Sequence, residues 1–307
     1  MVIGHTKIIE RLEVMRGNNT LAHGYLFYGP RSVGKFKTAL ELARTLICSR
    51  GEKSFGGCGD CETCSAFDAG TTSNLTILRP GKPILESEEK DKKEIGIAEI
   101  REVRRRLAFA SSGYRVVIID GAEKLTGEAA NAFLKILEEP GPQTLFIFVS
   151  ESPEYILPTI LSRLAPIRFS LVPDEEMRKV KGATEKLITL AAGAPGISIS
   201  AVNDPEFRKA EEGSFSEAEK IYGGSLAKAI SAGERWVGSR EKYSRILLHL
   251  LRFSERDLLL GDEKEKMTRV GRLENVLDIL RLYETTNVNP RLAADILFIN
   301  LRSVKIA

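Results

Sequence analysis

Five short apolar runs, separated by amphipathic stretches, dominate the first half of the chain. Buried parallel strands have nearly continuous apolar runs, and helical stretches between them provide the crossover connections. In one such stretch, IAEIREVRRRLAF, Ile100, Val103 and Leu107 share one helical face. The pattern predicts a mostly parallel sheet covered by helices from Ala22 to about Ser170. The runs are YLFYG, LTIL, RVVIID, TLFIFV and PIRFS.

The pattern changes after Pro173, where the strand-like runs stop and helical spacing takes over. A short helical segment ends near Asp204 and contains the helix-breaking sequence AAGAPG. We therefore predict an α/β domain over residues 1–170, a small helical domain over 171–205 and an all-helical domain over 206–307.

Apolar residues in the last region recur at the spacing of one helical face. Packing against neighbouring helices explains this spacing, and a pocket for heme or another cofactor is the alternative. The residues are Leu247, Leu250, Leu251, Leu273, Val276, Leu277 and Leu280.

Composition and charge narrow the class of protein. The 307 residues are 43% hydrophobic and 28% charged, and no apolar run approaches the ~18 residues that a membrane helix requires. The opening sequence MVIGHTKIIERLEV has no signal-peptide apolar region, so we expect a cytoplasmic protein. A net charge of +3 is too small to indicate nucleic-acid binding by bulk electrostatics, and any DNA contact must be local.

All four cysteines lie in one short segment, CSRGEKSFGGCGDCETC, at the spacing C-x9-C-x2-C-x2-C. Four thiolates complete the tetrahedral shell of a structural zinc ion, whereas a catalytic zinc keeps an open position. Free thiols or two disulfides are the alternatives, although a cytosolic chain keeps its thiols reduced. We predict a structural zinc module over residues 48–64, with the ligands Cys48, Cys58, Cys61 and Cys64.

The sequence GPRSVGKF has the Gly-x-x-x-x-Gly-Lys frame of a phosphate-binding loop. It follows the apolar run YLFY and precedes the helical stretch KTALELARTLI, which is the context that the motif needs. In such a loop, backbone N–H groups surround phosphate oxygens and the lysine reaches the outer phosphates. The residues of this candidate nucleotide site are Gly29, Pro30, Gly34, Lys35, Phe36 and Asp120.

The parts that hydrolyse ATP are incomplete around this loop. Magnesium is normally held by a hydroxyl after the lysine and by a carboxylate at the end of a later strand. Phe36 replaces the hydroxyl, and Thr38 lies on a different helical face. Asp120 supplies the carboxylate, but Gly121 follows it where a glutamate would orient the attacking water, and Glu123 is too far along. We expect no hydrolysis, and ATP binding stays open.

Several stretches together resemble the bacterial clamp-loader subunits of the AAA+ class, and specifically the delta-prime subunits of the DNA polymerase III clamp loader. The resemblance is dense over residues 1–205 and loose beyond, through NVNPRLAADILFINL. It implies an AAA+ parallel-sheet P-loop domain with a zinc module, a small helical lid and a C-terminal helical collar for oligomerisation. The stretches are LAHGYLFYGPRSVGKFKTALELARTLIC, the cysteine module, YRVVIIDGAEKLTGEAANAFLKILEEP and LPTILSRL.

The resemblance also implies partners and a role for one arginine. In the family, gamma or tau motor subunits hydrolyse ATP, delta opens the sliding clamp, and delta-prime is a rigid stator. The family's Ser-Arg-Cys motif is matched here by Ser162, Arg163 and Leu164. Arg163 would be an arginine finger that reaches in trans into the ATP site of a neighbouring motor subunit. Leu164 departs from the pattern and puts local packing, rather than chemistry, in question.

Other positions depart from the motor subunits. GAPGIS lacks the sensor arginine of the lid, Ser150 and Ser152 stand where motors use Thr or Asn, and His5 replaces a Gln that flanks the adenine. The resemblance thus implies a non-hydrolysing subunit that helps to load the sliding clamp on primed DNA. An active motor ATPase of the same fold, or a zinc-dependent nucleic-acid-binding module, is the alternative.

Four arginines lie on the helix before the third strand. A solvated face or a subunit contact explains them most simply, and contact with the primer-template backbone is the alternative. The residues are Arg101, Arg104, Arg105 and Arg106.

Overall fold

The structure, a computed structural model, contains two compact units. One consists of Met1–Lys181 with Gly193–Ile197, and the other of Gly182–Ala192 with Ser198–Ala307. The domain boundaries expected near residues 170 and 205 stay predictions. The charge-rich stretch ESEEKDKKE, apart from its last residue, lies outside the described residues, as do Leu273 and Leu280. The structure describes residues 2–51, 54–81, 94–109, 113–223, 240–260, 270, 271, 274 and 276–279.

A five-stranded parallel sheet lies at the centre of the first unit. The strands are β1 (Gly24–Tyr28), β2 (Leu75–Leu78), β3 (Arg115–Asp120), β4 (Thr144–Ser150) and β5 (Ala165–Arg168). Their order across the sheet is β2-β3-β4-β1-β5. All five expected strands are confirmed, and so is the α/β class with parallel pairing. The central strand β4 is buried along its whole length, as expected of a sheet covered on both faces.

Helices cover both faces of this sheet, and the strand side chains alternate between two apolar cores. Leu26, Phe146 and Phe148 belong to one core, while Phe27 and Ile147 belong to the other. The first core also takes in apolar residues of α4 and α5, and the second those of α1 and α2. The helices of this unit are α1 (Thr6–Gly17), α2 (Lys35–Ile47), α3 (Glu62–Asp68), α4 (Ile97–Ala108), α5 (Gly127–Glu138), α6 (Pro158–Leu161) and α7 (Asp174–Met177), with 3-10 turns at Ala122–Lys124 and Pro153–Tyr155.

The rest of the described chain is helical, as the sequence predicts. The elements are α8 (Glu185–Ala191), α9 (Pro195–Asn203), α10 (Pro205–Gly223) and α11 (Arg240–Leu260). Leu247 and Leu250 of α11 are fully buried in a cluster with Ile221 of α10 and with Val276, which supports the packing interpretation of their spacing. Among the helices that the structure describes, none is long and apolar enough to cross a membrane.

Candidate functional sites

The phosphate loop connects β1 to α2 at the carboxyl edge of the sheet. Gly29 and Gly34 have φ angles of +139° and +112°, a region that favours glycine. A Cβ added to Gly29 would lie 2.0 Å from the carbonyl oxygen of Phe169, so no other residue fits there without moving the backbone. The backbone at these two positions therefore favours the glycines that the motif contains.

Lys35, the first residue of α2, folds back onto its own loop. Its Nζ donates hydrogen bonds to the carbonyl oxygens of Gly29 at 2.7 Å and Pro30 at 2.6 Å. The residue is only 7% exposed, and this burial lowers the pKa of its ammonium group to about 8, although nearby carboxylates such as Glu151 oppose the shift. A phosphate group would have to draw the ammonium away from these two carbonyl oxygens.

A cavity of about 390 Å³ opens beside this loop. Ser150, at the end of β4, lines it and is 2% exposed. Its hydroxyl donates to the carbonyl oxygen of Ser152 at 3.1 Å, so this hydroxyl, which the sequence analysis placed among the departures from motor subunits, already has an internal acceptor. Arg31 and Glu151, which also line the cavity, form an ion pair with each other.

Arg79 brings together the two positions that normally hold magnesium. It follows β2, and its guanidinium carbon lies 3.8 Å from the centroid of the Phe36 ring. Its Nε donates to Oδ2 of Asp120 at 2.8 Å. Arg79 was not predicted from the sequence to belong to the site. The available signal was an arginine directly after the apolar run LTIL, since the carboxyl ends of parallel strands share one edge of a sheet.

Two residues that follow β3, Gly121 and Glu123, also line the cavity. Gly121 has a φ of +82°, so a glutamate in its place would be strained by the backbone conformation. Glu123, expected to be remote, instead lines the cavity. One of its carboxylate oxygens is buried and has no hydrogen-bond partner among the described residues. Glu123 is thus closer to the loop than its sequence position suggests.

His5 packs against the outer side of the phosphate loop. Its Nε2 lies 2.9 Å from the carbonyl oxygen of Val33, and its ring meets Phe169 edge to face, with the ring centroids 4.8 Å apart. Burial lowers the pKa of this imidazole, which favours the neutral form. His5 therefore holds the segment before α1 against the loop.

The four cysteines of the predicted zinc module lie together, with every sulfur within 4.8 Å of the others. The sulfur atoms of Cys48 and Cys58 are 3.6 Å apart, those of Cys48 and Cys61 are 3.9 Å apart, and those of Cys58 and Cys64 are 3.9 Å apart. Four thiolates at 2.3 Å from one zinc ion would be about 3.8 Å from one another. The four thiols therefore fit a closed tetrahedral zinc site.

Local structure positions these thiols. Gly57 has a φ of +71°, and a Cβ added to it would lie 3.1 Å from Sγ of Cys64 and 3.3 Å from Cβ of Cys48. Cys61 caps the N-terminus of α3, where its Sγ accepts a hydrogen bond from the backbone N–H of Cys64 at 3.4 Å. The helix thus fixes two of the sulfurs relative to each other.

Hydrogen bonds also favour the thiolate form of Cys61. Bonds involving Ser49, Thr63 and the Cys64 backbone lower the pKa of the Cys61 thiol to about 4. Thiolate is the form that binds zinc, so the surroundings of this sulfur suit a metal ligand.

Arg163 lies between α6 and β5, at the amino edge of the sheet. Tyr25 of β1 pairs with Ala165, and the carbonyl oxygen of Arg163 would lie 3.4 Å from a Cβ on Gly24, the first residue of β1. The phosphate loop follows the other end of β1, about 13 Å away at ~3.3 Å per residue. Arg163 and the loop of the same chain therefore lie at opposite edges of the sheet.

The guanidinium group of Arg163 rests on neighbouring polar groups. It donates to Oε1 of Glu138 at 2.8 Å and to the carbonyl oxygen of Thr159 at 2.9 Å. The hydroxyl of Ser162 accepts from it at 3.3 Å and donates to the same Thr159 carbonyl at 3.0 Å. Glu138 and Thr159 were not singled out from the sequence.

Two of the four arginines on α4 have an internal partner. Arg105 and Arg106 both donate to the buried carboxylate of Glu102, at distances of 2.7 to 2.8 Å. The hydrogen bonds from Arg105 and Arg106 lower the pKa of Glu102 to about 2. Arg101 and Arg104 are exposed, and the role of this face stays a prediction.

Comparison with known proteins shows which family the chain resembles. A family model described as DNA polymerase III, delta subunit, matches residues 4–173. The DNA polymerase III subunit delta' of Pseudomonas aeruginosa is 33% identical over 189 residues, which cover 57% of this chain and 54% of that protein. The DNA polymerase III subunit gamma/tau of Mycobacterium tuberculosis is 36% identical over 179 residues, which cover 58% of this chain and 29% of that protein.

A solved structure is also similar to this chain, that of a DNA polymerase III gamma-subunit-related protein of Thermotoga maritima. Its sequence is 21% identical, the TM-score is 0.46, and the match covers 94% of this chain and 98% of that chain. The matched regions span about half or less of the length of these two curated relatives. The family model covers more than half of the chain, in agreement with the resemblance carried by the sequence motifs. The chain therefore belongs to the DNA polymerase III delta' subunit family.

Proposed function

We propose that this chain is a non-hydrolysing subunit of a clamp loader and that it donates Arg163 in trans to the ATP site of a neighbouring subunit. The position of Arg163 carries this proposal. Because it lies at the sheet edge opposite its own phosphate loop, Arg163 is too far away to serve that loop, and any ATP site that it serves belongs to another subunit. A guanidinium group brought to a γ-phosphate in this way stabilises transition-state charge and raises the rate by on the order of 10³ to 10⁵.

The surroundings of the chain's own phosphate loop support the proposal that this chain does not hydrolyse ATP. Phe36 supplies no metal ligand, Gly121 has no side chain to orient water, and the Lys35 ammonium binds loop carbonyl oxygens. Each of these three features removes or weakens a group that phosphoryl transfer requires. The proposed partners are gamma or tau motor subunits and the delta subunit, with the sliding clamp and primer-template DNA contacted through the assembly.

The experiment uses a clamp loader reconstituted with active motor subunits. Arg163→Ala in this chain should lower steady-state ATP hydrolysis by the assembly at least about tenfold, a conservative value for such a finger. Arg168→Ala is the matched control, because Arg168 is exposed at the opposite end of β5. Unchanged hydrolysis with Arg163→Ala in a fully assembled complex would overturn the assignment.

An active motor ATPase is the second candidate, since the gamma/tau relative is slightly more identical to this chain than the delta' relative. The two candidates differ in the isolated protein. With ATP and magnesium, the non-hydrolysing subunit should show no turnover above a Lys35→Ala control. A steady rate that this substitution abolishes would establish the motor function instead.

We also propose that the four cysteines hold a zinc ion with a purely structural role. Zinc would fix the segment between α2 and α3, because all four thiols fit one tetrahedral shell. Metal analysis should find one zinc per chain, and removing it with a chelator should lower the melting temperature. Purified, reduced protein with no zinc, or with an unchanged melting temperature after zinc removal, would contradict this role.

A further inference from the structure

Phe36 and Asp120, which line the cavity beside the phosphate loop, share a contact with the cationic side chain of Arg79. In phosphoryl-transfer loops, a divalent ion is held by a hydroxyl after the lysine and by a carboxylate at the end of a later strand. Phe36 and Asp120 occupy these two positions, and Arg79 contacts both. The residues present therefore do not fit a magnesium site.

The chemistry of a guanidinium group suits this place. It is planar, keeps its charge at any ordinary pH, stacks on aromatic rings and is weakly hydrated. Magnesium instead requires an octahedral shell of oxygen ligands and keeps several of its waters. The Phe36 ring offers a face for stacking and no oxygen ligand, so this pair of side chains favours an arginine over a metal ion.

The residue after Arg79 lies beside the residue after Asp120. Pro80 follows Arg79 directly, and its ring lies next to Gly121. Gly121 has a φ of +82°, a region that favours glycine. The position that would carry the water-orienting glutamate therefore lies next to the segment that carries Arg79.

We propose that Arg79 excludes divalent metal from Asp120 by lying between this carboxylate and the Phe36 ring and by neutralising the charge that would bind the metal. This inference deepens the non-hydrolysing part of the proposed function and does not depend on Arg163. A divalent cation at Asp120 would stand beside a positive guanidinium, and like charges a few ångströms apart repel strongly even when partly solvated.

The test measures binding of Mn²⁺ by electron paramagnetic resonance, with the full chain in its zinc-loaded form. Mn²⁺ prefers oxygen ligands and leaves the thiolate module to zinc. Arg79→Gln should create a Mn²⁺ site at least about tenfold tighter than any in the wild type, since a repelling charge is removed. Adding Asp120→Asn to Arg79→Gln should abolish the new site, and Arg79→Lys, which keeps the charge, should not create it.

Two results would overturn the inference. One is a Mn²⁺ site in the wild-type protein that Asp120→Asn removes, a measurement that does not require any Arg79 variant to fold. The other is a folded Arg79→Gln protein, verified by circular dichroism, without a gain in Mn²⁺ binding. A wild type that binds Mn²⁺ and still has no ATP turnover would refute the exclusion by Arg79 and leave the non-hydrolysing function standing.

Discussion

At the carboxyl edge of the sheet, Lys35 is 7% exposed and bound to two carbonyl oxygens of its own loop. At the amino edge, the side chain of Arg163 is 36% exposed and is held by Glu138, which is 51% exposed. Both are cations of the kind that bind phosphate. The Lys35 ammonium is turned inward, whereas the Arg163 guanidinium is held by a surface ion pair. Such a pair contributes about 0 to 1 kcal/mol to the free energy of unfolding.

Under the proposed function, this contrast explains how a chain can lack ATP hydrolysis of its own and still promote hydrolysis by a neighbouring subunit. Around Lys35, two ion pairs form within the chain, Arg79 with Asp120 and Arg31 with Glu151. A nucleotide would have to compete with these internal partners. Arg163 has an exposed partner, and the proposed function requires that the γ-phosphate of another subunit replace this partner, an exchange that costs little for an exposed ion pair.

The largest change in stability is expected for a substitution in the phosphate loop at the carboxyl edge of the sheet. Gly29→Ala places a Cβ 2.0 Å from the Phe169 carbonyl oxygen and should lower the free energy of unfolding by more than about 4 kcal/mol, or prevent folding. Gly34→Ala is the control, because it has a positive φ but nothing within 4 Å of the added Cβ, and it should cost only about 1 to 2 kcal/mol. Equal losses in urea unfolding would mean that the close approach is not the cause.

The next effect concerns the buried ammonium of Lys35, whose pKa falls from 10.5 to about 8 on folding, mainly because of burial. Between these two values the unfolded chain binds more protons than the folded chain, so this group makes stability rise with pH. The contribution of Lys35 to the free energy of unfolding is unfavourable below pH 8, and it fades as the pH approaches 10.5. Comparing the free energy of unfolding of the wild type with that of Lys35→Met isolates this contribution.

The stability advantage of Lys35→Met over wild type should therefore shrink as the pH rises through this window, by up to about 1.4 kcal/mol for each pH unit. Urea unfolding at several pH values measures the difference. A constant difference between pH 7 and pH 11 would contradict the inward, buried position of Lys35.

The smallest effect concerns the ion pair at the amino edge. Glu138→Gln removes the charge that holds Arg163 and should change the free energy of unfolding by less than about 1 kcal/mol, because the pair is exposed. In the reconstituted assembly, ATP hydrolysis should be maintained, since Arg163 itself is intact. A fall in hydrolysis as large as that of Arg163→Ala would show that Glu138 positions Arg163 rather than merely holding it in the free chain.

The fold and the positions of the candidate sites were largely predictable from the sequence. Continuous apolar runs identify the strands, glycine spacing identifies the turn between β1 and α2, and the cysteine spacing identifies the cluster of four thiols, because each signal is local in the chain. The pairings of Arg79 with Asp120 and of Arg163 with Glu138 were not predictable in this way. They join residues 41 and 25 positions apart, and depend on strand order and helix placement that apolar patterning does not encode.

The most direct test of the account changes one cation at each edge in the reconstituted clamp loader. Lys35→Ala and Arg163→Ala are introduced separately into this chain, assembly is verified, and steady-state ATP hydrolysis is compared with that of the wild-type assembly. We expect unchanged hydrolysis with Lys35→Ala and a loss of at least about tenfold with Arg163→Ala. Loss of hydrolysis with Lys35→Ala, or unchanged hydrolysis with Arg163→Ala, would contradict the proposed roles of the two cations.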